Sequence, residues 1–166
     1  VETDKLRQEA ERLKRIMMEQ QKMLTDAENR AKQAKHIGDT IYAYLSELQL
    51  IIDRFVTAKQ SGKEWKTIIS EILTEKEAKT KPWLFFESFD FKTSTINVQV
   101  DDLKFGFDLH KTLFNTATNY YENNKQAKQK LEGAKTALQE TLQKLGETEK
   151  KLNNAEILER SKPTEE

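Results

Sequence analysis

A seven-residue apolar repeat dominates both ends of this chain and limits what it can fold into. Stepping by seven from Leu6 gives Leu6, Leu13, Gln20, Ala27, Ala34, Ile41, Leu48 and Phe55. A companion line reads Glu9, Ile16, Met23, Arg30, Ile37, Tyr44 and Ile51, with Ala10, Met17, Leu24, Ala31, Leu45 and Ile52 flanking it. No Pro interrupts this stretch, and an unbroken heptad of this kind predicts a coiled-coil helix over residues 1–55. At 1.5 Å per residue such an arm is about 75 Å long. Residues 109–160 repeat the pattern. Ala117, Asn124, Leu131, Leu138, Leu145 and Leu152 form one line, and Leu113, Tyr120, Ala127, Ala134, Thr141, Thr148 and Ala155 the other. Pro163 ends it, so residues 161–166 read as a linker or tail.

The two arms fit each other. Aligned antiparallel with partner numbers adding to about 165, the small residues Ala27, Ala31 and Ala34 face Ala127, Gly133, Ala134 and Ala137. Leu6 and Leu13 then face Leu152 and Leu158. Gly133 costs about 1 kcal/mol against Ala inside a helix, which predicts close approach of the opposing arm near Ala31 and Ala34, or of an external partner's backbone. Gln20 and Asn124, polar residues at core positions, read as register pins. Composition agrees with an elongated molecule: 34% of the 166 residues are charged and 36% hydrophobic, too few apolar side chains for one round core.

Between the arms, residues 56–108 hold Trp65, Trp83, Phe85, Phe86, Phe89, Phe91, Phe105 and Phe107. Ser61-Gly62 opens a stretch with Trp65, Ile68, Ile69, Ile72 and Leu73 at helical spacing, and Pro82 stops it. Ile96, Val98 and Val100 then alternate with polar residues, as do Leu103, Phe105 and Phe107, with Asp101-Asp102 as the turn between two strands. Trp83–Phe89 supplies a candidate third strand. The expected fold is mainly α: a long antiparallel coiled-coil hairpin with a small α+β domain inserted at its tip, monomeric.

Little chemistry accompanies this architecture. There is no Cys, hence no disulfide and no thiolate metal site, which favours an intracellular, cytoplasmic setting. No apolar run approaches the ~20 residues of a membrane span. The chain begins at Val1 rather than Met and reads as a piece of a longer protein. It contains no phosphate-binding loop, dinucleotide turn or nucleophile elbow. His36-Ile37-Gly38-Asp39 is similar to a nucleotide-binding signature of class I synthetases, but it sits on a long helix instead of following a strand. No catalytic residue, metal site or cofactor is expected, and the chain is not expected to be an enzyme.

Charge is balanced, 28 Lys and Arg against 28 Asp and Glu, yet the mid-arm is not. Arg30, Lys32 and Lys35 lie opposite Lys125, Lys128, Lys130 and Lys135 in the register above, interrupted only by Glu28 and Glu132. Such a band suits a phosphate backbone. It also suits the solvated flank of any coiled coil. No aromatic residue interleaves with these cations, so base stacking is not expected. Clustered Phe and Trp in the middle segment read mostly as core, with Trp83, Phe85 and Phe86 the candidates for an apolar patch that meets a partner.

Three segments carry a resemblance. They are Gly38-Asp39-Thr40-Ile41-Tyr42, then Trp65 with Ile68-Ile69, and most specifically Asn115-Thr116-Ala117-Thr118-Asn119-Tyr120-Tyr121 followed by Lys125, Lys128, Lys130 and Leu131-Glu132-Gly133-Ala134-Lys135. The chain resembles the coiled-coil and middle region of the NFACT family, the ribosome quality-control factors (NEMF- and RqcH-like proteins) that include the so-called fibronectin-binding proteins. It departs from that family at Asn123-Asn124 and in its neutral arms. The resemblance implies a protein that recognises large ribosomal subunits obstructed by peptidyl-tRNA, recruits charged tRNA and promotes template-free C-terminal tailing. It implies contacts of the arm with rRNA and a stalk-base protein, tRNA contacts through domains outside this chain, and a ubiquitin ligase partner in eukaryotes. The competing expectation is a coiled-coil scaffold whose tip binds another protein, with no ribosome role; a third is a rod that self-associates into a four-helix bundle.

Overall fold

The computed structural model describes residues 1–161; the tail expected at 161–166, with Pro163, lies outside them except for Ser161. The chain is mainly helical. In order it forms α1 (Glu2–Ala43), α2 (Leu45–Gln60), α3 (Trp65–Glu77), a single 3-10 turn (Trp83–Phe85), β1 (Phe86–Asp90), β2 (Thr95–Val100), β3 (Leu103–Asp108) and α4 (Leu113–Ser161). Two compact units emerge from the packing: Val1–Ala31 with residues 126–161, and residues 32–125.

In the first unit α1 and α4 lie side by side in opposite directions. Thr3 Oγ1 donates to Glu159 Oε1 at 2.7 Å, Arg7 Nη2 meets Glu156 at 3.2 Å, and Lys14 Nζ meets Glu149 at 3.7 Å. Partner numbers there add to about 163, close to the sequence register. Ala10, Leu13 and Leu145 form a small core, and Met17 packs on it. Along residues 3–31 of α1, Thr3, Leu6, Ala10, Leu13, Met17, Gln20, Leu24, Ala27 and Ala31 are buried or half-buried in alternating steps of three and four, with Glu9, Ile16 and Glu28 half-buried beside them. This corrects one line of the sequence reading. The partner of the Leu6 series is the Ala10, Met17, Leu24, Ala31 series, while Arg30 is exposed and Met23 keeps 65% of its surface in water. Either line satisfies a heptad. Only the chosen one leaves the charges of Glu9 and Arg30 hydrated instead of paying for their burial. On α4 the expected positions are the sheltered ones, with Thr141 and Leu145 buried. Gly133 is a second correction: a methyl group there would meet nothing within 4 Å, so the opposing arm does not approach it closely.

The second unit holds the larger core. Strand order is β1-β2-β3, all antiparallel. The expected hairpin forms, with Ile96 opposite Phe107, Val98 opposite Phe105 and Val100 opposite Leu103. Ile96, Val98, Val100, Phe105 and Phe107 fill one face of the sheet, and α2 and α3 add Leu48, Ile51, Ile52, Phe55, Ile68 and Ile72. These α2 residues were read as the upper end of a coiled-coil arm. Instead the first helix stops at Ala43, Tyr44 adopts φ −117° and ψ 30°, and a new helix begins at Leu45. Four large apolar side chains on one face of α2 present a stripe wider than a two-helix seam can bury, so that face needs a sheet opposite it. The compact unit accordingly starts well inside the stretch read as the first arm. Trp83–Phe85 after Pro82 forms the 3-10 turn, so the third strand begins only at Phe86.

Candidate functional site

Among the described residues no three His, Asp or Glu side chains converge on a metal-sized space, and no helix is long and apolar enough to cross a membrane. Of the residues singled out from sequence, those of the expected apolar patch fare differently from one another. Phe85 and Phe86 are buried, and the patch that included them does not exist as a surface. Phe86 packs against Phe55, and Phe85 meets Tyr44 edge-on at 5.2 Å. Trp83 is half-buried beneath the Arg54 guanidinium, 4.6 Å from its ring. Arg54 is itself held by Glu75 and, at 3.7 Å, by Glu71.

The basic residues divide between the units. Arg30, Lys128, Lys130 and Lys135 belong to the first, Lys32, Lys35 and Lys125 to the second, and all seven are exposed. Lys135 contacts Glu132 at 3.8 Å and Lys35 contacts Asp39 at 3.6 Å. Both pairs are solvent-facing and hold little energy.

The motif residues assemble more tightly. In the second unit the segment 38–42 of α1 faces the segment 114–121 of α4, and Gly38 is the reason they come so close. A Cβ on Gly38 would lie 2.7 Å from both Cε1 and Cζ of Tyr121, so the ring occupies the volume that any other residue would fill. The Tyr121 hydroxyl donates to Asp39 Oδ1 at 2.7 Å. Tyr42 stacks on the same ring, centroids 6.2 Å apart and planes 18° from parallel, and its ring centroid also lies 6.0 Å from that of Phe114. Ile41 and Ala117, one on each helix, are fully buried. Tyr120 points to the sheet, where its hydroxyl donates to the Gly106 carbonyl at 3.1 Å. Asn115 is exposed and starts α4 by giving its N–H to Thr112 Oγ1 at 3.1 Å, the usual N-cap arrangement. Gly133 and Ala134 lie in the first unit, outside this cluster.

The electrostatics follow from the contacts. Loss of hydration, then the hydrogen bond it donates to the Asp39 carboxylate and that carboxylate's charge, pushes the Tyr121 hydroxyl up to about 12. The hydrogen bond from Tyr121, aided by Lys35, holds Asp39 below the ordinary carboxylate range. Burial raises Tyr120.

Sequence reasoning missed Phe114. Two strips carry it and its neighbours: Lys35, Asp39 and Tyr42 on α1, and Phe114, Thr118, Tyr121 and Lys125 on α4, each at spacings that keep them on one helix face. Aromatics therefore do stand beside basic residues here, contrary to the sequence expectation. The signal was present in that spacing, but it is visible only once the seam has been assigned to Ile41 and Ala117. Against known proteins, no family model matches the chain and no curated sequence is similar to it.

Proposed function

We propose that this chain is the non-catalytic arm of an NFACT-type ribosome quality-control factor, an antiparallel coiled-coil hairpin carrying a small α+β domain. In that role it binds large ribosomal subunits obstructed by peptidyl-tRNA and positions itself on rRNA or on a partner protein, while tRNA recruitment and C-terminal tailing rest with domains outside this chain. The observation that carries the reading is the Gly38–Asp39–Tyr121 contact. The resemblance draws attention to two segments about eighty residues apart, and their distinctive residues meet through a 2.7 Å hydrogen bond and a ring laid over a glycine. Motif residues that pack on one another support a shared structural unit over chance similarity of two unrelated stretches. The antiparallel contacts of Thr3, Arg7 and Lys14 with Glu159, Glu156 and Glu149 support the hairpin.

The test is cosedimentation of the chain with purified large ribosomal subunits across a salt series. Binding is expected at low salt and to weaken steeply as salt rises, as phosphate contacts do. Reversing Lys125, Lys128 and Lys130 to Glu should abolish most of it. Absence of cosedimentation at low salt overturns the reading and leaves the protein-only scaffold. Binding that ignores the charge reversal removes the basic residues from the account.

A further inference from the structure

The two strips that meet at Tyr121 differ in character along their length. At one end stand Tyr42 and Phe114, exposed by 47% and 55%. At the other stand Lys35 and Lys125, both exposed. Along the helix axes Lys35 lies about 10 Å from Tyr42, and Lys125 about 6 Å from Tyr121. The anion of the strips, Asp39, accepts from the Tyr121 hydroxyl and pairs with Lys35, and the two lysines outnumber it beside the open rings. The rings are also held still. Tyr121 is clamped between Gly38 and Asp39, and Tyr42 lies on it nearly parallel, so little side-chain freedom remains to be lost when something stacks on top.

We propose that this face binds single-stranded RNA, an unstacked base lying against Tyr42 and Phe114 and the adjoining phosphates at Lys35 and Lys125. An aromatic platform beside a basic strip is the usual means of holding a single strand without reading its sequence. Duplex RNA offers no free base face to such a platform. A protein partner could use the rings, but it would leave two lysines at the end of the strip without a purpose. The inference rests on the ribosome reading for the source of the strand, an unpaired loop or bulge, and not for the chemistry.

The experiment is fluorescence anisotropy of the full chain with a labelled single-stranded RNA of about twelve nucleotides, alongside the ribosome cosedimentation. Wild type is expected to bind the single strand at low salt and to prefer it over a duplex of equal length. The variant Y42A/F114A is expected to bind it at least about tenfold more weakly, the loss of a stacked base, with its urea midpoint, read from tryptophan fluorescence, little changed. The variant Y42F/F114Y keeps the rings and is expected to bind like wild type. K35Q/K125Q should lower the slope of binding against salt by about two phosphate contacts. The proposal is overturned if wild type fails to bind the single strand, if it binds duplex equally well, or if Y42A/F114A binds within about twofold of wild type. Ribosome binding that depends on Tyr42 and Phe114 while single-stranded RNA is ignored assigns the face to a ribosomal protein and also overturns it. RNA binding that drops in Y42A/F114A without any cosedimentation sustains the platform and removes the ribosome reading.

Discussion

Gly38→Ala and Gly133→Ala are the same chemical change in the interior of a long helix, and they should have opposite effects. Each gains about 1 kcal/mol of helix propensity. At Gly133 the new methyl enters open space, so that gain is expected to appear nearly whole. At Gly38 the methyl would lie 2.7 Å from two ring carbons of Tyr121, well inside contact distance. The ring cannot slide away freely, because its hydroxyl is tied to Asp39 at 2.7 Å and Tyr42 stacks on it. Overpacking of this kind costs about 1–3 kcal/mol, and the displaced hydrogen bond adds about 1 kcal/mol. The net expectation for G38A is destabilisation of about 1–3 kcal/mol after the propensity gain is subtracted. Urea denaturation measures it. Trp65 and Trp83, the chain's two tryptophans, lie in the same unit as Gly38 and report its unfolding by fluorescence; circular dichroism follows the helices for G133A. Tyr121→Ala closes the cycle. With the ring gone, G38A should turn stabilising by about 1 kcal/mol, giving a coupling energy of about 2–4 kcal/mol between the two positions. A G38A protein as stable as G133A would show that the ring moves at no cost, and the account of Gly38 as the cause of the close approach would fall.

Four further outcomes are expected. Unfolded tyrosine titrates near pH ~10 whereas Tyr121 in the fold is pushed up to about 12, so the native state keeps its proton longer; the stability from this contact is complete below pH ~10 and is lost as pH rises towards 12. Alkaline denaturation of Y121F should therefore fall less steeply over that window, and an unchanged slope would refute the contact. On the acid side, Asp39 is held low, so its contribution is present above pH ~4 and lost as pH falls through its folded value; D39N should flatten that limb of the stability profile. In the first unit, the buried amide oxygen of Gln20 has no hydrogen-bond partner, so Gln20→Leu should raise stability by about 1–2 kcal/mol, and a lowered melting temperature would mean that the oxygen is satisfied after all. Asp101 opens the β2–β3 turn with φ 55°, and Asp101→Gly should stabilise the hairpin by up to about 1 kcal/mol, read from the same tryptophan unfolding curve.

Periodicity made the helices legible but could not choose between faces that share a period. Leu6 is followed by Glu9 and Ala10, both at heptad spacing, and only the cost of stripping water from Glu9 and Arg30 decides for the alanine line. The β2–β3 hairpin was readable because alternation and a two-residue turn agree, and Ile96 opposite Phe107 follows from both. The helix break at Tyr44 was not readable, since nothing local stops the helix: Tyr44 N–H still bonds to the Thr40 carbonyl at 3.0 Å and its own carbonyl to Leu48 N–H at 2.9 Å. The irregular backbone at Tyr44 goes instead with the core that α2 joins, which is tertiary information. Phe85 and Phe86 were misjudged for the same reason. Adjacent aromatics cannot both face inward from a strand, but a 3-10 turn ending at Phe85 rotates the pair so that both are buried.

The glycines carry the same argument to the site. A sequence gives Gly38 and Gly133 equal standing as helix-weakening residues inside a motif, and propensity assigns them equal cost. Their environments separate them completely. One makes room for a ring that locks two distant segments together, and the other borders solvent. Tyr121 held in that way leaves Tyr42 and Phe114 fixed at the surface beside Lys35 and Lys125. The feature of this chain most suited to recognition therefore depends on a missing side chain rather than on any charged or aromatic residue alone.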